Sequence, residues 1–233
     1  MIEINKYKNY DDMSDAVADK VEKQLLKKSE YCLSDNTWCD DSRFILPTGS
    51  TPIGLYKELV NRDLDWSDAI TYNLDEYLDN TIHEQSYFHI MNENLFKHIN
   101  IDEDNIWFPY DIAVWPDKEY GENVDLCLLG IGSNGHIAFN EPGSSFESKT
   151  RVVDLTEQTI QDNSRFFPSI DDVPTKAITM GLKPIMSSKK IILMANGKHK
   201  KDILHKALYG EITEDVPASI LQTHTNVGVF YCD

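Results

Sequence analysis

The chain has 233 residues, of which 41% are hydrophobic, and its formal net charge is −17. This composition supports a buried core of ordinary size; one domain or two would fit, but no linker divides the sequence, so we treat residues 1–233 as a single α/β domain. The negative charge repels phosphate backbones and anionic bilayers, which disfavours binding to nucleic acid or to a membrane surface.

The cysteines and the amino terminus indicate a reducing compartment. None of the cysteines shows C-x-x-C spacing, and Cys127 lies in an apolar segment. We therefore expect reduced thiols, rather than disulfides or zinc ligands, at Cys32, Cys39, Cys127 and Cys232. The first residues contain no apolar signal core, and no apolar run approaches membrane-spanning length, so a cytoplasmic location is expected.

Hydrophobic periodicity predicts helices that alternate with short strands. In chain order we expect a helix at 11–28, a strand at 44–46, a helix at 53–60, a strand at 70–74, a helix that Ser86 caps, strands at 124–129 and 151–155, helices at 157–164 and 179–187, a strand at 190–195, helices at 198–209 and 217–221, and a strand at 227–231. The stretches 32–42, 80–85 and 101–123 are expected to be loops or connections. Strands 124–129 and 190–195 are nearly continuous apolar runs, which is typical of a buried parallel sheet.

The junction after the first predicted strand reads Pro47-Thr48-Gly49-Ser50-Thr51-Pro52. Ser50 or Thr51 can cap the following helix, and Gly49 allows the backbone to approach a ligand closely. Because the free amides of a helix N-terminus attract anions, the junction is a candidate phosphate site; an ordinary capped helix is the alternative. No lysine follows the glycine, so this is not a Walker loop.

Asp75 follows the predicted strand at 70–74, at the edge of the sheet where ligands bind. A carboxylate at that edge can act as a general base. A lone aspartate after a strand is also a common helix cap or turn residue, and both readings stay open on the sequence.

The stretch after strand 124–129 matches the dinucleotide pattern G-x-G-x-x-G at residues 130–135. A dinucleotide site requires a long helix after the last glycine, whereas Pro142-Gly143 arrives too soon for one. The polar residues His136, Asn140 and Glu141 follow the glycines instead, so we expect chemistry at this loop and not cofactor binding.

Three cations later in the chain are candidate anion ligands. Arg165 can contact a phosphate with two parallel hydrogen bonds, although a surface salt bridge is the ordinary alternative. Lys198 and Lys200 fall in the first turn of a predicted helix, where cations oppose the helix dipole. This placement is more plausible for anion ligands than for residues that stabilise the helix.

Five motifs together resemble the glucosamine-6-phosphate deaminase family. They are LPTGSTP at 46–52, NLDEY at 73–77, GIGSNGHIAFNEPGSSF at 130–146, NSRFF at 163–167 and ILQTH at 220–224. The resemblance spans nearly the whole chain, and GHIAFNEP separates it from the related 6-phosphogluconolactonases. It implies a modified doubly wound, Rossmann-like fold with a mostly parallel sheet flanked by helices. It also implies conversion of glucosamine 6-phosphate and water to fructose 6-phosphate and ammonia, without metal or nucleotide.

The resemblance also implies roles for individual residues. Asp75 matches the base that moves the C2 proton to C1, and His136 matches the group that opens the pyranose ring. Glu141 and Asn134 would hold that imidazole; some members carry aspartate at the latter position, so Asn134 would act through hydrogen bonding alone. The residues that match the phosphate-binding positions are Gly49, Ser50, Thr51, Arg165 and Lys200.

Two other functions stay compatible with these motifs. A lactonase or isomerase acting on another sugar phosphate would keep the phosphate-binding residues and change those around His136. A non-catalytic sugar-phosphate sensor would bind the same ligand class, but it would not need Asp75, His136 and Glu141 together.

Longer, hexameric members of the family bind the activator N-acetylglucosamine 6-phosphate through an Arg and a Lys two residues apart and a carboxyl-terminal extension. Arg151 matches the first position, but Val153 occupies the second, and the chain stops at Asp233. We therefore expect no such activation, and a monomer or small homo-oligomer.

Overall fold

The computed structural model describes residues 2–35, 41–78, 83–110, 120–121 and 124–233. The helices are α1 Tyr10–Asp35, α2 Ile53–Asn61, α3 Tyr87–Asn94, α4 Glu157–Asn163, α5 Leu182–Met186 and α6 Lys201–Tyr209. The strands are β1 Glu3–Tyr7, β2 Ser42–Leu46, β3 Ala69–Asn73, β4 Asp75–Leu78, β5 Ile106–Trp107, β6 Leu126–Leu129, β7 Arg151–Asp154, β8 Lys176–Thr179, β9 Ile191–Asn196 and β10 Val227–Cys232. Short 3-10 turns connect several of them.

Seven strands form a sheet in the order β1-β10-β9-β6-β2-β3-β5, and every neighbouring pair is parallel. The chain passes from β2 to β3 on one side and later returns to place β6 on the other side of β2. The strand order therefore reverses between β2 and β6. In open α/β sheets this reversal leaves a crevice at the carboxyl ends of the strands, where ligands bind. The expected mostly parallel α/β fold is confirmed.

Both faces of the sheet are buried, which explains why its strands are almost continuously apolar. On β2, Phe44 and Leu46 pack with α1 and α2, against residues such as Val17. Ile45 points to the opposite face and belongs to the cluster that contains Leu204 of α6. The predicted stripe on α1 is confirmed, since its apolar residues Met13, Val17, Val21 and Leu25 are all buried.

A second sheet of three antiparallel strands, in the order β4-β8-β7, covers part of the same edge. It is joined to the main sheet at Leu74, whose amide donates to the Leu46 carbonyl and whose carbonyl accepts from the Met180 amide. Tyr77 and Ala177 of this sheet contribute to a third apolar cluster. Asp75 therefore stands at the point where the chain leaves one sheet for the other.

Several expected boundaries were wrong. Helix α1 continues to Asp35, beyond the predicted end at 28 and into the predicted loop 32–42. The predicted helix at 179–187 begins too early, since Thr179 is the last residue of β8 and α5 spans Leu182–Met186. Strand β5 crosses the predicted connection 101–123.

Some expectations concern residues that the structure does not describe. The predictions for the thiol of Cys32, for Cys39 and for parts of the loops at 80–85 and 101–123 lie outside the described residues. Cys127 and Cys232 are free and buried, as expected. None of the described helices combines the length and apolarity that crossing a bilayer requires.

Candidate active site

A pocket of about 190 Å³ lies at the carboxyl ends of β2, β3 and β6, where the strand order reverses. Its walls come from the loop after β2, the start of β4, the loop after β6 and the segment around α4. The lining residues that the sequence predicted are Gly49, Ser50, Thr51, Asp75, His136, Arg165 and Lys200. Asn134 and Glu141 do not line this pocket; they contact the backbone and the ring of His136 from behind.

Asp75 faces the pocket although it is only 5% exposed. Among the described residues, its hydrogen-bond partner is the Thr48 hydroxyl, which donates to Oδ1 over 3.4 Å. Burial, and then the charge of Glu76, raise the pKa of Asp75 to about 8. A carboxylate with few donors in a buried site is a much stronger base than one in water.

Glu76, the next residue, is turned away to the start of α3. Its carboxylate accepts from the backbone amides of Tyr87 and Phe88, at 2.9 and 2.8 Å, and from its neighbour Tyr77 at 2.8 Å. These amides hold the negative charge of Glu76 in place beside Asp75. The capping role that the sequence allowed for Asp75 therefore belongs to Glu76, and Ser86 caps the same helix by accepting from the His89 amide.

His136 is presented by a tight, glycine-rich loop. Gly135 has φ of +90°, in the region that favours glycine, and it lets the chain reverse directly before the histidine. The ring lies flat against Gly132, where an added Cβ would fall 2.2 Å from the imidazole. From Gly130 to Thr150 the chain forms turns and one isolated bridge, so the long helix of a dinucleotide site is absent from this fully described segment.

Glu141 stands behind His136 and is fully engaged by it and two donors. Its Oε2 lies 3.4 Å from His136 Nδ1 and accepts from Asn134 Nδ2 at 2.8 Å, while Thr159 donates to Oε1. Burial raises the pKa of Glu141, but its interactions with His136 outweigh that effect. Together with the donors Thr159 and Asn134 they lower the pKa to about 2, so the group is a carboxylate at neutral pH.

The opposite end of the pocket is basic. The Arg165 guanidinium stacks over the Phe166 ring at 4.6 Å and makes no hydrogen bond with any described residue. Lys200 donates to the Ile131 carbonyl at 2.8 Å. Burial lowers the pKa of Lys200; the charge of Asp162 raises it and that of Arg165 lowers it, and the net result is a lowered pKa. Both cations keep spare donors, and neither bonds a carboxylate of the described residues, which is an arrangement suited to an anion.

The loop at 47–52 completes this end without the predicted side-chain cap. Gly49 has φ of +99°, and Pro52 is the N-cap of α2 with no side-chain hydrogen bond. The expectation that Ser50 or Thr51 caps the helix was therefore wrong. Both residues line the pocket.

The described residues contain no group of three His, Cys, Asp or Glu side chains that could hold a metal ion.

The sequence model described as glucosamine-6-phosphate isomerases/6-phosphogluconolactonase matches residues 12–229. The chain belongs to this family. The family match covers every pocket residue named above.

Relatives within the family are similar over nearly their whole length. A glucosamine-6-phosphate deaminase of Lachnoclostridium phytofermentans is 46% identical over 238 residues, covering 96% of both chains. One of Clostridium botulinum strain Loch Maree is 48% identical, covering 91% of this chain and 93% of its own. The solved structure of a monomeric glucosamine-6-phosphate deaminase superposes with a TM-score of 0.85 at 37% identity, covering 99% and 97%. A 6-phosphogluconolactonase-like structure from Neisseria gonorrhoeae shares the fold, with a TM-score of 0.73 at 22% identity over all of both chains.

Sequence reasoning missed several side chains of the pocket wall. Tyr87 lines the pocket and its hydroxyl lies 3.3 Å from that of Tyr77, which also accepts from Asn163 at 2.8 Å. Thr159 was assigned only to a weakly patterned helix. Its position two residues before the polar run at 161–163, on the helix that precedes Arg165, is the one signal that pointed toward the pocket.

Proposed function

We propose that the chain is a glucosamine-6-phosphate deaminase, which converts glucosamine 6-phosphate and water to fructose 6-phosphate and ammonia. One observation carries the proposal: a buried, strongly basic carboxylate, Asp75, shares a pocket with the paired His136 and with two cations. The relatives that bear this name are 46–48% identical to the chain over most of its length. The lactonase structures, at about 20% identity, support the fold alone.

The basic end of the pocket binds the substrate phosphate. Arg165 supplies a planar fork of donors, Lys200 supplies a half-buried ammonium, and the backbone at Gly49, Ser50 and Thr51 supplies amides. These groups together match a dianion that the acidic surface of the protein would otherwise repel. The sugar is then fixed with its ring toward Asp75 and His136.

His136 opens the pyranose by moving a proton between the O1 hydroxyl and the ring oxygen. Because Glu141 is ionised and can only accept, the proton on Nδ1 faces it, and Nε2 is left for the sugar. Histidine is suited to this step, since its ordinary pKa of about 6.5 allows it to take and return a proton at neutral pH. Asn134 holds Glu141 and the His136 backbone in register.

In its ionised form, Asp75 then carries the proton from C2 to C1 of the open-chain sugar. The electron pair of the C2–H bond forms the C1–C2 double bond of an enol-amine intermediate as O1 takes up a proton. Return of the C2 proton at C1, with loss of one proton from the nitrogen, leaves an imine at C2. Water adds to this imine, and the C2–N bond breaks to release ammonia and the ketose. The high basicity of a buried carboxylate makes abstraction from carbon feasible, which an aspartate in bulk water would do poorly.

We also infer that the protein works as a monomer. The similar solved deaminase is described as monomeric, and the net charge of −17 opposes self-association. Light scattering coupled to gel filtration tests this inference, and a mass of two or more chains would contradict it.

The function is tested by incubating purified protein with glucosamine 6-phosphate in the presence of a metal chelator. We expect ammonia and fructose 6-phosphate in equal amounts. 6-Phosphogluconolactone is the matched control substrate, and its hydrolysis should not rise above the spontaneous rate. Lactone hydrolysis without ammonia release would replace the proposal with a lactonase.

A further inference from the structure

Helix α4 reaches the His136–Glu141 pair through one side chain, Thr159. This threonine is only 2% exposed, lines the pocket, and donates its hydroxyl hydrogen to Glu141 Oε1. None of the roles described above requires it. A buried hydroxyl aimed at the carboxylate that faces a proton-transferring histidine is a candidate for orienting that carboxylate.

The direction of this hydrogen bond is fixed by chemistry. An ionised carboxylate accepts only, so Thr159 is the donor. Its oxygen in turn accepts from the hydroxyl of Thr156 at 3.2 Å, and Thr156 caps α4 by accepting from the Thr159 amide at 3.2 Å. The hydroxyl of Thr159 is thus held by the start of its own helix and cannot rotate freely away from Glu141.

The two carboxylate oxygens have separate tasks. Thr159 binds Oε1, and Oε2 is left for Asn134 at 2.8 Å and for His136 Nδ1 at 3.4 Å. Without the hydroxyl, Oε1 would be a buried acceptor with no donor, and the carboxylate could rotate so that Oε2 leaves the imidazole. Loss of a donor to a buried charge is costly, since the charge loses a bond that water cannot replace.

We propose that Thr159 is a positioning residue for ring opening, which it serves by fixing the Glu141 carboxylate against His136. This inference rests on the proposed deaminase function. Thr159 acts through Glu141 and is not part of the phosphate-binding end, so its loss should lower kcat and leave KM nearly unchanged.

Three variants test the role. Thr159→Val keeps the shape and removes the hydroxyl, and we expect kcat to fall roughly tenfold to a hundredfold, the effect of removing a hydrogen bond to a charged acceptor. Thr159→Ser keeps the hydroxyl and should stay within about threefold of wild type. Ile160→Val is the matched control: it trims the next residue of α4, which packs in the Tyr77 cluster, and should reduce stability while leaving kcat within about twofold.

Two readouts separate positioning from a general structural effect. The 4,5-dideoxy analogue of glucosamine 6-phosphate has no hydroxyl with which to close a furanose or pyranose ring, so Thr159→Val and His136→Gln should both spare it relative to the natural substrate. Carboxyl ¹³C NMR of the substrate-free protein should show the pKa of Glu141 raised from about 2 in Thr159→Val, because one of its donors is gone.

Equal losses on both substrates, a Thr159→Ser variant as slow as Thr159→Val, or an unchanged Glu141 titration would each overturn the inference. If wild type is active and Thr159→Val is fully active, the role of Thr159 is wrong and the proposed function stands. A wild-type protein that releases no ammonia would overturn the proposed function and this role with it, even if NMR showed the hydrogen bond.

Discussion

At the scale of single residues, Asp75 shows what the sequence could predict and what it could not. Its place after a strand predicted a polar group at the ligand-binding edge, and it lies there. The sequence could not show that Glu76, the neighbour, turns to α3, because both are carboxylates with the same local propensity. Tertiary contacts alone decide that Glu76 accepts from backbone amides while Asp75 accepts only from the Thr48 hydroxyl among the described residues, and therefore which of the two becomes the stronger base.

The raised pKa of Asp75 has a consequence for stability. Its value of about 8 in the folded protein exceeds the ordinary 3.8, so between these pH values the folded chain holds a proton that the unfolded chain has lost. Stability therefore falls as the pH rises through this window. At pH 9 the folded chain must keep Asp75 ionised in a buried site. Asp75→Asn removes this cost and should raise the free energy of unfolding at pH 9 by roughly 3 kcal/mol. This is less than the full pKa shift would give, because water can reach the ionised group. Urea denaturation at pH 9 and near pH 4 measures it. An equal change at both pH values would contradict the assigned titration.

At the scale of elements, the sequence predicted the buried apolar strands well and two strands of the second sheet poorly. β6, β9 and β10 are buried on both faces, so their composition alone identifies them. β4 and β8 carry polar groups, β8 pairs with both β4 and β7, and no local pattern distinguishes β4 or β8 from loop or helix. The loop after β6 was predicted to carry chemistry and not a helix, and the turns observed there confirm that it carries no helix.

In the loop after β6, we predict that a side chain at Gly132 displaces the His136 ring. An alanine Cβ there would lie 2.2 Å from the His136 ring, so Gly132→Ala should displace the imidazole and lower kcat at least tenfold while the fold survives. Gly130→Ala is the control for backbone stiffening in the same loop, since an added Cβ meets nothing within 4 Å. The NMR signals of the His136 ring should move in the first variant and stay in the second. An unmoved ring in Gly132→Ala would show that the loop gives way instead.

We predict that Arg165 and Lys200, at the basic end of the pocket, contribute to binding of the substrate phosphate. Arg165→Ala and Lys200→Ala should each raise KM for glucosamine 6-phosphate by about 1.5 to 3 kcal/mol in free-energy terms, the range for a charge-assisted hydrogen bond. Lys198→Ala, two residues away and outside the pocket, is the matched control and should leave KM unchanged. Activity on unphosphorylated glucosamine should be insensitive to all three changes. Loss on that substrate as well would indicate damage to the fold.

At the scale of the whole molecule, the reversal of strand order brings the predicted residues together. Segments that start at 47, 75, 130 and 165 are distant in sequence, yet β2, β3 and β6 deliver the first three to one edge. Fold class and edge could be predicted from the strand pattern. The antiparallel sheet β4-β8-β7 that closes one side could not, because its pairing joins residues about a hundred positions apart.

We also predict, for the whole molecule, that N-acetylglucosamine 6-phosphate does not activate it. Arg151 already donates to Asn140 Oδ1 at 2.9 Å and to the Ser144 hydroxyl at 3.2 Å, and Val153 has no donor for a phosphate. With Arg151 engaged by Asn140 and Ser144 and a valine at 153, we expect the activator to show no preference for one state, and kinetics should be hyperbolic. Rates against substrate concentration, with and without N-acetylglucosamine 6-phosphate, measure this. A sigmoidal curve that the additive makes hyperbolic would refute the expectation.

The central claim is that Asp75 performs the chemistry and the basic end of the pocket performs the binding. The most direct measurement compares wild type with Asp75→Asn in ammonia release from glucosamine 6-phosphate, and in calorimetric binding of the same substrate. We expect the variant to lose essentially all turnover and to keep its affinity within about threefold, because the lost carboxylate acts on C2 and not on the phosphate. If Asp75→Asn retained more than about a tenth of the wild-type rate, the base assigned to the reaction would be wrong.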